Sequence, residues 1–463
     1  MRTAFWLVPG VLLLCLPAIY NGFPLVYSDT GAYLATAFEG KVPMARPSGY
    51  GMFIRFTAIG GNLWLPLVAQ ALLFAGLMFR TVAVVLPGTN RHLAYAISLA
   101  VVTGLTGTGW YASQLMPDVF TGLVVLGFYL LLFDREMNWL GRWMVAIALY
   151  GFCFSHYSHV ALLGGLVGGM GTIVLVQRLR RRAAPFPPGR LVWAAVPVVM
   201  AVLNFYWVNY SHGFGVRMTR SAHVFTMARL SETGLLADYL HETCAEQHWS
   251  LCPYMDALPS SAADFIWSDA SPFKKTGYWE GARPGYDSLL ADFFGRRAYL
   301  LRYLGVSAEA GLAQLLALSV GEGITPYNES SAPYQFLERR MLGKLPSYTS
   351  AIQFNRTFDF RIDKGILQVT MALSFIGLLG IGFVHRKTLA PEPMWFTVLA
   401  VSGYVANAFV TGAFANVYSR LQARIAWLIP LAFLVLLLRF LGQRRTDPGQ
   451  RAKEASRNEQ RQG

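Results

Sequence analysis

The feature that most constrains this chain is the recurrence of long apolar runs. They fall at residues 4–20, 63–80, 93–108, 119–133, 143–154, 159–176, 191–208, 365–384, 394–413 and 425–440. A helix needs about 20 mostly apolar residues to cross a hydrocarbon layer about 30 Å thick, at about 1.5 Å per residue. About ten transmembrane helices are therefore expected. The fifth run is short and is expected to pair with the sixth as a tight hairpin around His156 and His159. Only 14% of the residues are charged, against about 25% in soluble domains, so lipid is the expected solvent. The first run follows one arginine and has no small-x-small site after it, which predicts a retained helix rather than a cleaved signal.

Charge then orients the runs. With the N-terminus inside, the cytoplasmic ends carry Arg80 with Arg91, Arg135 with Arg142, the arginines from 178 to 190, Arg386 with Lys387, and the basic tail. The opposite short loops carry chiefly Lys41, Arg46, Arg55, Arg420 and Arg424. The positive-inside rule selects cytoplasmic termini. The net charge of +14 thus marks topology, not nucleic acid, which is excluded as a partner. Four parts follow: a seven-helix membrane module at 1–209, an extracytoplasmic loop domain at 210–364, three helices at 365–441, and a disordered basic tail at 442–463.

The loop domain is too aromatic to be a linker, and a small mixed or helical fold is expected. Residues 289–318 have helical periodicity that Gly305 and Gly311 can interrupt, with Arg296, Arg297 and Arg302 on the polar side. Such a helix lies at lipid headgroups or packs within the loop domain. An oxidising compartment favours a disulfide between Cys244 and Cys252. A zinc site of Cys244, His248, Cys252 and His241 is the rival. Cys15 and Cys153 read as small buried hydrophobes.

Candidate chemistry collects in the outer loops. Asp29, in YSDTGAYL, can serve as a general base on a hydroxyl at the lip of a membrane cavity; an N-cap is the commoner role for such an Asp. Asp118, in MPDVF, either complements a helix dipole or organises a metal, a phosphate-bound cation or a sugar hydroxyl. His156 and His159 share a helical face and suit phosphate oxygens, a metal or capping. Arg420 and Arg424 are four apart, a spacing that suits phosphate or snorkelling to headgroups. No P-loop, dinucleotide fingerprint, GxSxG or HExxH is present.

YSDTGAYL with RPSGYGMFI, then MPDVFTGLVVLGFYLL, then the histidines opening the sixth run, and a seven-helix module followed by a long outer loop, together resemble the GT-C glycosyltransferase superfamily. The resemblance spans about the first 210 residues in motifs and the rest in layout. It implies a polytopic all-α enzyme that transfers a sugar from a polyprenyl-phosphate donor to a glycan, lipid or protein hydroxyl, with inversion. Asp29 would be the base, and Asp118, His156 and His159 would organise the donor or a divalent cation. Arg420 and Arg424 would hold the lipid phosphate. The implied location is a bacterial inner membrane, active on the periplasmic side. The competing expectations are a flippase for a lipid-linked saccharide and a non-catalytic assembly protein of envelope polysaccharide.

Overall fold

FTGLVVLGFYLLLF is apolar on every face, and a helix of that kind belongs in the middle of a bundle. The computed structural model, which describes residues 2–385 and 391–446, has every residue of the Phe120–Phe133 helix buried. Glycines let its neighbours close in: the Trp427 ring comes within 2.4 Å of where a Cβ on Gly122 would stand.

Among the described residues all regular elements are helical, and the one extended pairing is an isolated bridge between Leu25 and Gln114. Six helices are long and apolar enough to cross a membrane: Trp64–Val85, Tyr157–Leu179, Arg190–Ser211, Arg361–Phe383, Pro391–Phe414 and Ser419–Leu441. Four shorter apolar helices, Trp6–Asn21, Arg91–Leu105, Pro117–Phe133 and Trp139–Ser155, accompany them. Every apolar run in the sequence therefore has a helix; the first runs Arg2–Asn21 over 20 residues, while those at 91–105, 117–133 and 139–155 fall short of the usual spanning length. The hairpin is real and tighter than expected: one extended residue, His156, ends the Trp139–Ser155 helix and caps Tyr157–Leu179. At the periphery, the Arg361–His385 helix exposes Ile362, Val369, Leu373, Ile376 and Leu379, the pattern of a face turned to lipid.

Segment 210–364 contributes to two cores rather than one. Val224, Leu236, Tyr239, Phe265, Tyr286 and Phe293 close a core of their own. Val320, Phe336, Leu337, Tyr348 and Ala351 instead join the bundle. The helical stretch around 289–318 breaks at Arg296, which is extended, into Arg283–Gly295 and Arg297–Leu316. Gly305 and Gly311 lie inside the second helix, so the glycines do not interrupt it. Arg296 pairs with Asp292 and Glu242 at 2.8 and 3.2 Å, and Arg302 pairs with Asp238, so both arginines bind acids of the loop segment. The last helix runs on to Thr446. Arg386, Lys387 and the tail from 447 onward lie outside the described residues.

Candidate functional site

Two outer segments are tied together at the bridge. Leu25 N–H donates to Ser113 O and Leu115 N–H donates to Leu25 O, each at 2.9 Å, and the Thr30 hydroxyl donates to Leu115 O at 3.2 Å. This strap brings Asp29 to the same region as Asp118. A third element closes in through Gly49, where a Cβ would lie 2.2 Å from Phe154 O. Only a residue without a side chain allows the RPSGYG segment to reach the end of the 139–155 helix beside His156.

Between these segments, the loop segment and the Phe414 end of the Pro391–Phe414 helix lies a cavity of about 670 Å³. Tyr27, Asp29, Tyr33, Arg46, Asp118, His156 and Arg420 line it, with Met218, Phe225, Trp267, Val410 and Phe414 as apolar wall.

Asp29 stands at the N-cap position of Thr30–Glu39, yet its side chain makes no capping hydrogen bond. Its Oδ2 accepts from Arg46 Nε at 2.8 Å. The cap expectation fails because an ion pair outcompetes it. Burial opposes the Arg46 charge most strongly, but the Asp29 carboxylate, Tyr33 and the hydrogen bond to Asp29 together leave the guanidinium pKa raised. Burial pushes the Tyr27 hydroxyl up to about 12, with Arg420 pulling the other way. Tyr33 is fully buried, lines the cavity, and its hydroxyl has no partner among the described residues.

Asp118 sits in a short turn, Pro117–Val119, entered from an extended Met116. Pro117 is at home there because the first helical N–H has no partner to lose. The carboxylate is 2% exposed; Oδ1 accepts from Arg424 at 2.9 Å and Oδ2 from Arg420 at 3.3 Å. The two arginines share a face of Ser419–Ala426, but they turn inward. Snorkelling to headgroups is thereby overturned, since an uncompensated buried carboxylate is costlier than drawing two cations out of the interface. Arg424 is behind Asp118 and also donates to Ser158 Oγ at 3.1 Å, off the cavity lining. Arg420 reaches the cavity, with its guanidinium 4.0 Å from the Tyr27 ring centre. Its backbone N–H donates to Glu322 at 2.7 Å. Gln314 grips the backbone of Tyr418, the residue that opens this helix, through bonds of 2.8 and 3.0 Å.

The two imidazoles stay close, with ring centres 5.2 Å apart, but only His156 lines the cavity. His156 Nδ1 accepts from Ser158 N–H at 3.2 Å, which leaves the neutral ring's proton on Nε2. His159 is fully buried, donates from Nδ1 to Phe152 O at 2.8 Å and accepts from Thr121 at 2.9 Å. It holds the hairpin and does not line the cavity.

Cys244 and Cys252 form a disulfide, with Cα atoms 5.6 Å apart. Both thiols are consumed, so the zinc alternative with His248 and His241 is ruled out; His241 faces Asp256 at 3.2 Å. Among the described residues no three His, Cys, Asp or Glu side chains gather as a metal site. Arg46, Tyr33, Gln314 and Glu322 are the functional candidates that the sequence did not single out. Arg46 sits in the RPSGY segment and Tyr33 in YSDTGAYL, and those motifs are the signals that mark them. No family model, no curated protein and no solved structure matches this chain.

Proposed function

We propose that this chain is a ten-span membrane glycosyltransferase of the GT-C kind, transferring a sugar from a polyprenyl-phosphate carrier to an acceptor hydroxyl, with inversion. The observation that carries the reading is the single cavity in which Asp29, Asp118, His156 and Arg420 meet apolar side chains such as Phe225, Trp267 and Phe414. Such a pocket suits a ligand with an anionic head and a hydrocarbon tail.

In this reading the acceptor oxygen attacks the anomeric carbon as the bond from that carbon to the phosphate oxygen breaks. The phosphate leaves with the electron pair, and the acceptor proton passes to Asp29. Arg46 holds Oδ2 of Asp29, while Oδ1 has no hydrogen-bond partner among the described residues and is open to the acceptor. Arg420 faces the departing phosphate, the place where developing charge is worth stabilising. Its contact with Asp118 is the looser of the two and can yield to a ligand. Arg424 stays behind as the fixed partner of Asp118. His156 offers its Nε2–H to a sugar or phosphate oxygen.

The cavity side is read as periplasmic. Arg80 grips Asp134, and Arg190 donates to Leu132 O at 2.9 Å, so the arginine-rich loops gather at the far end of the Phe120–Phe133 helix. The disulfide belongs to the segment that roofs the cavity, as an oxidising compartment favours. Impermeant thiol reagent should label Ser28→Cys only from the periplasmic side; labelling from the cytosol removes the proposal. The direct test is sugar transfer from a polyprenyl-phosphate donor by the purified protein, wild type against Asp29→Asn. Equal transfer dismisses Asp29 as the base. Wild-type protein that moves an intact lipid-linked saccharide across vesicles without transfer makes it a flippase.

A further inference from the structure

The Arg297–Leu316 helix belongs by sequence to the polar segment 210–364, yet it packs along Pro391–Phe414, one of the six long apolar helices. Tyr303 donates to Ala413 O at 3.2 Å, and Tyr404 donates to Leu315 O at 2.5 Å. Between them, the Phe409 ring comes within 2.5 Å of where a Cβ on Gly311 would stand. Rising numbers on one helix meet falling numbers on the other, so the two run antiparallel. Tyr404 lies ten residues before Phe414, about 15 Å along the axis. Just past the helix, Leu318 O accepts from Gln368 at 3.3 Å, and Gln368 is about two turns inside Arg361–His385. The C-terminal end of this helix therefore sits well below the cavity-side ends of two neighbouring spans.

The face turned away from Pro391–Phe414 is apolar and open. Leu301, Leu304, Leu312 and Leu316 are 55, 54, 57 and 82% exposed. The helix's charges, Arg297, Arg302 and Glu309, all precede Leu312, and none follows until Glu322. On Arg361–His385, whose Gln368 reaches Leu318, Ile366 and Val369 are exposed as well.

We propose that residues 312–316 dip into the outer leaflet and contact lipid acyl chains, while Glu309 stays at headgroup level and Arg302 and Arg297 lie above it. The opposite face carries Gln314, which holds Tyr418 at the start of the helix bearing Arg420 and Arg424. Lipid contact on one face thus braces the cationic end of the cavity from the other. The inference needs the chain to sit in a bilayer and is independent of sugar transfer.

The test uses the full chain in phosphatidylcholine–phosphatidylglycerol nanodiscs with nitroxide labels on Leu312→Cys and Leu316→Cys. Asp269→Cys serves as the water-exposed control and Glu309→Cys as the boundary. Cys15 and Cys153 are buried and the other two cysteines are joined, so background labelling stays low. Labels at 312 and 316 should collide with oxygen several-fold more than with a water-soluble nickel chelate, and the label at 269 should show the reverse. A nickel-dominated ratio at 312 and 316 overturns the proposal. So does strong dipolar broadening between labels, which would mean that a second copy of the chain covers the face. Ala313→Cys, on an adjacent exposed position, gives the same reading should either leucine variant fold poorly.

Discussion

The two ends of the Phe120–Phe133 helix carry the same chemistry and do different things. At one end Asp134 is 1% exposed and gripped by Arg80 through bonds of 2.5 and 2.8 Å. At the other Asp118 is 2% exposed and shared by Arg420 and Arg424. Arg80 is 37% exposed and meets water directly, whereas Arg424 is sealed in. The Asp134 end packs shut as a clasp between helices, and the Asp118 end borders the cavity. A buried aspartate with an arginine is therefore no signature of a site. What distinguishes the cavity end is a second, accessible carboxylate, Asp29 at 17% exposure, lining the same cavity.

The largest expected effect comes from Asp118→Ala. Breaking a buried ion pair costs about 3–5 kcal/mol because a charge is left without a partner, and here Arg424 is the one stranded. Thermal melting of the purified protein should fall steeply and transfer should vanish with it; an unchanged melting temperature would mean that the pair is not formed. Asp29→Asn should separate the two properties. It should lower transfer by about 10²–10⁴-fold, the usual worth of a positioned base, with a melting temperature near wild type, since a partly exposed pair contributes only about 0–1 kcal/mol. Loss of both together would make Asp29 structural, like Asp134.

Asp134→Asn is the converse case. It should lower stability by about 1–3 kcal/mol, less than Asp118→Ala because water can reach Arg80, and leave transfer per folded molecule unchanged. The smallest effect concerns Glu39, which Lys41, Arg340 and Arg339 hold at a pKa of about 2, well below its ordinary 4.5. Since the folded value is the depressed one, its contribution is present above about 4.5 and fades as pH falls toward 2. Hydrogen exchange of residues 332–340, corrected for intrinsic rate, should speed up selectively across that window; uniform acceleration across the chain would deny Glu39 a local role.

Much of the fold was legible because its signals are local. Apolar length marked ten of the helices, and a turn at His156 followed from two runs too close together for a long loop. The i,i+4 spacing put Arg420 and Arg424 on one face. It did not say which way that face turns, and the answer depends on Asp118, about three hundred residues away in sequence. Glycine at 305 and 311 reads as a helix breaker, but Gly311 is there to admit Phe409, a packing demand invisible along the chain. Arg46 read only as one outer-loop charge among several, because a lone arginine in a loop acquires meaning through the carboxylate it meets.

What the sequence settles by itself is the solvent and the element type. A helix satisfies its own backbone in lipid, and six helices here are long and apolar enough to cross a membrane. Which charges meet, which histidine faces the cavity and which arginine is walled in were decided by the packed bundle. Electrostatic partners are chosen by distance in space, and in a chain of many helices that distance is fixed by packing rather than by order.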